Sequence, residues 1–366
     1  MRSILITAVI ACATAPVGAE EPKAPPPRQE AKLNVSGFAQ LDYRLGDSSG
    51  GTTAVEQEFN IRRARLILSG KANDKISYGV TFQGDGGVAG LLETWVDWAV
   101  KPAAKIRLGQ FKYDFDIGGR ESDAGTLFAD RPSITNTVAG TMGGTGTPSS
   151  PGASSRDRGL NLYGTTKTGG VSWGYSVGVF QGAGLRSDNN DSLSYLAQLH
   201  LLPVKGLRVT GGYLSSDAAS KGATSLFDYA AWTLGANYER GDLALRSEFY
   251  HGRRDLGTTS QTVRGFYAHG VYTRSRLDLM ARYQWMKDSQ FKSGDDSLRG
   301  VDLGAKWYFV RQNRTQGTSL AINYLIRNAD DGFNKGMTLL NDGRGAALTS
   351  GAAVKSVLLA RVQVQF

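Results

Sequence analysis

The chain has 366 residues, a formal net charge of +9, a single cysteine, 47 glycines and 15 tyrosines. One cysteine excludes a disulfide framework and a thiolate metal site. No stretch approaches the roughly 20 continuous apolar residues of a membrane helix, a test that strand barrels pass unseen.

At the front, Met1–Ala19 carries one positive charge (Arg2), an apolar run over Ile4–Ala11 and the small-residue end Val17-Gly18-Ala19. That pattern is a secretory signal with cleavage after Ala19. The competing reading takes Val9-Ile10-Ala11-Cys12 as a lipoprotein signal acylated at Cys12. Removing Arg2 with the leader leaves 41 basic against 33 acidic residues. The bases are scattered singly along strands, which points to a lined lumen and away from a nucleic-acid patch. Residues 20–32 include Pro22, Pro25, Pro26 and Pro27 among charges and read as an extended periplasmic spacer.

From Leu33 the chain repeats one unit, an alternating run of about 9–13 residues and then a connector. In Leu33–Leu45, Val35, Ala39, Leu41 and Tyr43 oppose Ser36, Gln40, Asp42 and Arg44. Phe59–Gly70 sets Ala64, Leu66 and Leu68 against Arg63 and Arg65, and Lys75–Asp85 follows the same rule. The next two runs flank Lys101–Ala103, with Glu93 and Asp97 on one polar face and Lys105 and Arg107 on the other. Further runs begin near Arg158, Val171, Leu193, Leu207, Tyr229, Leu243, Arg264, Leu277, Gly300 and Thr318. The last, Lys355–Phe366, alternates strictly and ends on an aromatic. An outer-membrane barrel ends this way because its final strand pairs with its first; the alternative is an edge strand of a soluble sandwich. The expectation is an all-β transmembrane antiparallel barrel of about sixteen strands spanning residues 33–366.

Connectors alternate short (Lys71–Asp74, Lys101–Ala103, Lys167–Gly170, Pro203–Gly206, Arg240–Asp242) and long, as periplasmic turns and extracellular loops do. One breaks the rhythm. Residues 112–157 far exceed the about 12–15 residues beyond which a loop is usually functional. Its first half is expected to fold into the barrel as a constriction loop, with Lys112, Arg120 and Arg131 as its cations. Its Gly/Ser/Pro half reads as merely flexible.

A lipid-facing arginine at mid-bilayer costs about 2–4 kcal/mol, so charged strand residues point inward. Parity places Arg63, Arg65, Lys105, Arg107, Arg246, Arg282, Lys306 and Arg361 in the lumen as a path for anions. Arg62 has the opposite parity and reads as snorkelling at a rim. Two roles stay open for the lumenal bases: binding small anions, or pairing with Asp42, Glu93, Asp97, Glu248 and Asp302 to stiffen the wall. Trp95, Trp98, Trp173, Trp232, Trp285 and Trp307 read as interfacial girdles or a subunit contact. His200, His251 and His269 match no metal or nucleophile spacing, so neither an enzyme nor a cofactor is expected.

Several stretches resemble the phosphate-selective porin O/P family: FNIRRARLILSGK (Phe59–Lys71), ETWVDWAVKPAAKIRLGQFK (Glu93–Lys112), ADRP (Ala129–Pro132), RGLNLYG (Arg158–Gly164), YSVGVFQGAG (Tyr175–Gly184) and the final strand. The likeness implies a 16-stranded outer-membrane barrel in lipid and lipopolysaccharide, usually a homotrimer, with a third-loop constriction and a basic solute path. The segment after GQFK, usually proline-bearing in that family, here reads YDFD, and the loop mixes Asp114, Asp116, Glu121, Asp123 and Asp130 with its arginines. The functional expectation is therefore a passive channel for small hydrophilic solutes that prefers anions, with phosphate as the sharper version. The alternative is a non-conducting structural or surface-binding barrel plugged by its third loop.

Overall fold

The computed structural model describes residues 32–46, 57–85, 88–141, 156–182, 184–185, 193–216, 228–255, 260–289, 297–329 and 354–366. The leader, the Pro-rich spacer, the Gly/Ser/Pro half of the long connector and most tips of the other long loops fall outside these residues.

Sixteen strands follow one another round a closed barrel, every neighbour antiparallel. They are β1 (Lys32–Gly46), β2 (Gln57–Lys71), β3 (Ile76–Asp85), β4 (Val88–Lys101), β5 (Ala104–Lys112), β6 (Arg156–Thr168), β7 (Val171–Phe180), β8 (Ser194–Val204), β9 (Leu207–Ser216), β10 (Asp228–Arg240), β11 (Leu243–Asp255), β12 (Ser260–Arg274), β13 (Leu277–Asp288), β14 (Ser297–Arg311), β15 (Gly317–Ala329) and β16 (Val354–Gln365). Two short helices, α1 (Ile117–Arg120) and α2 (Ser133–Thr141), lie between β5 and β6. The boundaries that move most from the expectation are the starts of β12 and β14. Both strands begin on polar residues beyond the apolar band, where alternation carries no signal.

Alternation builds the wall. Along β8, Ser194, Leu196, Gln198 and His200 are buried inside while Tyr195, Leu199 and Leu201 are exposed outside. An apolar exterior on every strand is what lipid selects, because the backbone groups are all used in the ladder. One of the register shifts re-aims side chains. Gln40 pairs with Arg63 and Leu41 with Ile61, which leaves Arg62 as the extra residue of a bulge. Arg62 and Arg63 are consequently both buried on the lumenal side, Arg62 within electrostatic reach of Asp42, Asp130 and Arg361. The rim position expected for Arg62 is thus corrected, since simple parity fails across a bulge. Trp95 is likewise no girdle residue: it shares the parity of Glu93 and Asp97, stands over Gly79 and carries the Arg107 guanidinium 4.1 Å above its ring. Trp98, Trp232 and Trp307 do face outward.

The seam between β1 and β16 is closed by more than the ladder. Gly37 and Phe366 exchange backbone hydrogen bonds of 3.0 and 3.1 Å. A side chain at Gly37 would collide with the Phe366 ring and the Arg65 carbonyl. Arg361 grips Asp42 with two bonds of 2.7 Å, and Gln40 donates to Gln363 at 2.8 Å. Removing one partner of a buried ion pair leaves the other charge uncompensated, at about 3–5 kcal/mol. Asp42→Ala is therefore expected to lower the thermal midpoint of the folded barrel, read as heat-modifiable gel mobility, well below that of an outward Leu358→Ala.

Candidate functional site

Leaving β5 at Lys112, the chain turns into the barrel and not out over its rim. Burial drives the turn. Tyr113 packs on Phe180, which also meets Phe111, with ring centroids 5.5 Å apart in both pairs. Phe115, Ile134 and Val138 join inward residues of the wall, among them Leu196, Leu214, Tyr250, Tyr267, Met286 and Leu325, in one apolar cluster. Burial pushes the Tyr113 phenol well above its ordinary value. Two strand glycines make room for the loop. A Cβ at Gly212 would overlap the Phe115 carbonyl oxygen, and one at Gly235 would meet the Ile117 side chain at 2.7 Å. Asp116 caps α1, its side chain accepting from the Gly119 amide at 2.9 Å.

The loop is tied to strands on both sides of the lumen. Asp123 is its central anchor, 1 % exposed. Arg65 reaches it at 2.5 Å from β2, Arg131 at 2.7 Å from the loop itself, and Arg63 at 3.6 Å. Burial alone would raise the Asp123 carboxyl, but these arginines, with Lys112 adding, hold it well below the usual carboxylate range. Elsewhere the wall supplies amide and carboxamide partners. Gln40 and Gln363 donate to the Asp123 and Ala124 carbonyls at 2.9 and 3.0 Å. Asn323 accepts from the Ala129 amide at 2.8 Å and Gln284 from the Ser133 amide at 2.7 Å. Parity alone places Gln40 on the inward face, but the role of these uncharged residues as loop partners has no signal in the sequence beyond that parity.

The basic residues singled out from the sequence divide by partner. Arg63 and Arg65 converge on Asp123. Arg282 binds Asp302 at 2.5 Å and the Asp130 carbonyl at 2.9 Å, with its guanidinium 4.5 Å from the Phe128 ring centre. Arg327, not foreseen, holds the other oxygen of Asp302. Arg361 is taken by Asp42. Arg246 meets Glu121 of the loop at 3.2 Å. Lys306 donates to the Thr315 and Thr126 carbonyls at 3.1 and 3.4 Å, and Lys112 to the Glu121 carbonyl at 2.8 Å. Arg107 stands apart from these on the β4–β5 wall, bidentate on Asp97 at 2.8 and 2.7 Å. Lys105 next to it lies 6.0 Å from the Tyr163 ring centre. Arg120, at the end of α1, pairs with Asp114 at 3.2 Å and is the most open of the loop cations, its side chain 42 % exposed.

One further cation belongs to this set. Arg208 on β9 has no carboxylate within salt-bridge distance and no hydrogen-bond partner for its buried Nε among the described residues. Arg120, Arg246 and Asp114 lie within electrostatic reach of it. Next to it in the lumen, His200 pairs in register with Thr210. His200 Nδ1, Thr210 Oγ1 and Gln198 Nε2 are buried and likewise unpartnered among the described residues. The alternation Leu207, Arg208, Val209, Thr210 would have revealed Arg208 by the parity rule applied to the other arginines.

His251 stacks on Trp232 and His269 on Tyr267, with centroids 5.7 and 5.6 Å apart. Among the described residues no three His, Cys, Asp or Glu side chains come together as metal ligands.

A depressed Asp123 pKa contributes stability that is present above the unfolded value of about 3.9 and lost only as pH falls through the lower folded value. The loop anchor therefore persists into acid. Asp123→Asn leaves three arginines around a neutral amide. It is expected to cost about 3–5 kcal/mol in detergent unfolding at neutral pH and to speed proteolysis between Asp114 and Arg131; an unchanged midpoint and cleavage rate would contradict the anchor.

Comparison with known proteins gives a consistent picture. A family model described as "Gram-negative porin" matches residues 6–324. No curated protein matches. Among solved structures, the anion-selective porin from Comamonas acidovorans superposes with a TM-score of 0.65 at 15 % identity, over 92 % of this chain and all (100 %) of that one. The trimer form of OmpT from Vibrio cholerae gives 0.58 at 13 % identity, over 91 % of this chain and 99 % of that one. The outer-membrane channel DcaP of Acinetobacter baumannii gives 0.56 at 13 % identity, over 91 % and 97 %. At such identities these likenesses establish the shared barrel alone. With the family match spanning most of its length, the chain belongs to the Gram-negative porins, non-enzymatic channels of the outer membrane.

Proposed function

We propose that this porin is a passive diffusion channel for small hydrophilic solutes that prefers anions, and that its best-held solutes are small oxyanions such as phosphate. The observation that carries the preference is how the lumenal charges are distributed. Asp42, Glu93, Asp97, Asp123 and Asp302 each face an arginine, and so do Asp114 and Glu121 of the loop. Glu248 accepts the Ile117 and Gly118 amides. Arg62, Lys105 and Arg208, by contrast, have no carboxylate within salt-bridge distance among the described residues. Asp157 and Asp116 likewise meet no cation at salt-bridge distance among the described residues, and backbone amides hold them as they hold Glu248. That leaves Arg62, Lys105 and Arg208 as the charges offered to a solute, attracting anions and repelling cations.

Arg208 with Gln198, His200 and Thr210 supports the oxyanion reading. An arginine beside neutral donors suits a tetrahedral oxyanion better than a cation or a sugar. The motif likeness to phosphate-selective O/P porins points the same way. Residues 113–141 are the constriction in this reading, and the arginines bound to Asp42, Asp123 and Asp302 line the path as fixed scaffolding. A homotrimer is proposed by analogy with the trimer form of OmpT, and membrane lipid and lipopolysaccharide surround it. A second reading, a barrel plugged by the loop, draws on the loop's contacts with strands on both sides of the lumen.

Reversal potential in planar bilayers under a KCl gradient tests the proposal. Anion-selective steps whose chloride current falls when phosphate is added are the expected result. Anion selectivity without block would remove the oxyanion site and leave the anion preference. Absence of any channel from a folded, heat-modifiable barrel would favour the plug.

A further inference from the structure

The first helix of the loop meets the wall through two carboxyl groups that share one phenol. Tyr250 Oη lies 2.8 Å from Asp116 Oδ2 and 2.6 Å from Glu248 Oε2. Asp116 and Tyr250 are fully buried and Glu248 is 1 % exposed. Glu248 is otherwise well supplied with donors: the Ile117 amide at 2.8 Å, the Gly118 amide at 3.0 Å, the Tyr267 hydroxyl at 2.9 Å and the Thr233 hydroxyl at 2.9 Å.

Counting protons decides the state of the pair. Tyr250 has one hydroxyl hydrogen, and two carboxyl oxygens stand at bonding distance from it, with the Thr135 hydroxyl at 3.0 Å able to donate to the phenol oxygen. With that hydrogen on the shorter contact to Glu248, the contact to Asp116 requires a hydrogen on Asp116. An ionised Asp116 would face the lone pairs of the phenol oxygen with nothing between them. Its second oxygen, Oδ1, is buried without a partner among the described residues, a far smaller cost for a neutral carboxyl than for a carboxylate.

The surrounding charges do not offset an ionised Asp116. Tyr250 and Glu248 face it from β11, Tyr267 lies behind them on β12, and Tyr113 and Lys112 approach from the β5 end. Lys112 directs its ammonium to the Glu121 carbonyl, and Arg246, the other nearby cation, is engaged by Glu121. Burial, and next the charge of Glu248, push the Asp116 carboxyl up to about 7.

We propose that Asp116, as a protonated carboxyl, latches the third loop to β11. Loss of that proton then frees α1 from the wall toward the centre of the lumen and closes the channel. The repulsion acts across the contact itself, because Asp116 belongs to the loop and Glu248 to the wall. Inside a closed barrel the space open to a released segment is the lumen. A carboxyl raised above its unfolded value contributes stability that is complete at low pH and is lost as pH rises through the folded value. The latch therefore fails on the alkaline side, opposite to the Asp123 anchor.

The test compares wild type with Asp116→Asn, which carries no charge at any pH. In bilayers scanned from about pH 5 to about pH 9, the wild-type ratio of closed to open time is expected to grow about tenfold per pH unit across the transition, as release of one proton requires. Asp116→Asn should stay open throughout. The conductance readout rests on the channel reading, so infrared difference spectroscopy supplies one that does not. Wild type minus variant should show the carbonyl band of a protonated carboxyl in acid, lost as pH rises. A flat wild-type profile, a variant that closes like wild type, or no such band in wild-type barrel at acidic pH would each overturn the latch. The first and last need no variant to fold. A barrel that shows the band and conducts nothing would retain the protonated carboxyl and sink the channel reading instead.

Discussion

The Asp123 carboxylate buried among Arg63, Arg65 and Arg131 is the interaction on which the interior depends. A loop brought inside a barrel must have its polar backbone satisfied there. Three arginines around one buried acid would be a costly assembly without their additional bonds. Gln83 takes the Arg65 Nε hydrogen at 2.5 Å, Gln40 accepts from Arg63 at 3.1 Å, and the Gly118 carbonyl accepts from Arg131 at 3.1 Å. With those partners in place the cluster fixes where the loop lies, and the remaining anchors follow from that position. Part of the charged wall therefore serves as a socket for the loop and part pairs within itself, and in the function proposed above solute selectivity falls to the cations left over.

That division explains why strand number and topology were legible in the sequence while the site was legible only in part. Alternation has a physical cause at every strand, lipid on one face and water or protein on the other, so the strands could be read directly from residue parity. Parity also identified Arg63, Arg65, Arg282 and Arg361 as lumenal. It failed at Arg62, because a bulge inserts one residue without leaving a compositional mark. Trp95 was misread for a different reason: its parity with Glu93 and Asp97 was visible, but tryptophan was weighed by its habit at interfaces. Partner choice was not legible. Whether an arginine faces a solute or a loop carboxylate depends on how residues 113–141 lie in the lumen, and no periodicity encodes that. Arg208 was overlooked simply because no charged neighbour marked its strand.

The loop is held by two kinds of contact with opposite chemistry. On the β1–β2 and β16 side it is charge-paired and insensitive to mild acid. On the β11–β12 side, beside the single Arg246–Glu121 pair, it rests on hydrogen bonds to Glu248 and Tyr250 around a buried Asp116 that has no cation at salt-bridge distance among the described residues. A loop fixed firmly at one side and conditionally at the other suits a constriction that must keep its place while its free edge changes. Gly212 and Gly235 lie under that conditional side, where the loop backbone comes closest to the strands.

The central claim is that the unpartnered cations, Arg208 foremost, set the selectivity, and the arginines bound to the loop do not. The most direct measurement is the reversal potential of Arg208→Gln against wild type, in barrels of equal thermal stability under the same KCl gradient. A shift toward zero, with single-channel conductance largely kept, is the result this account predicts. A reversal potential equal to that of wild type would contradict it.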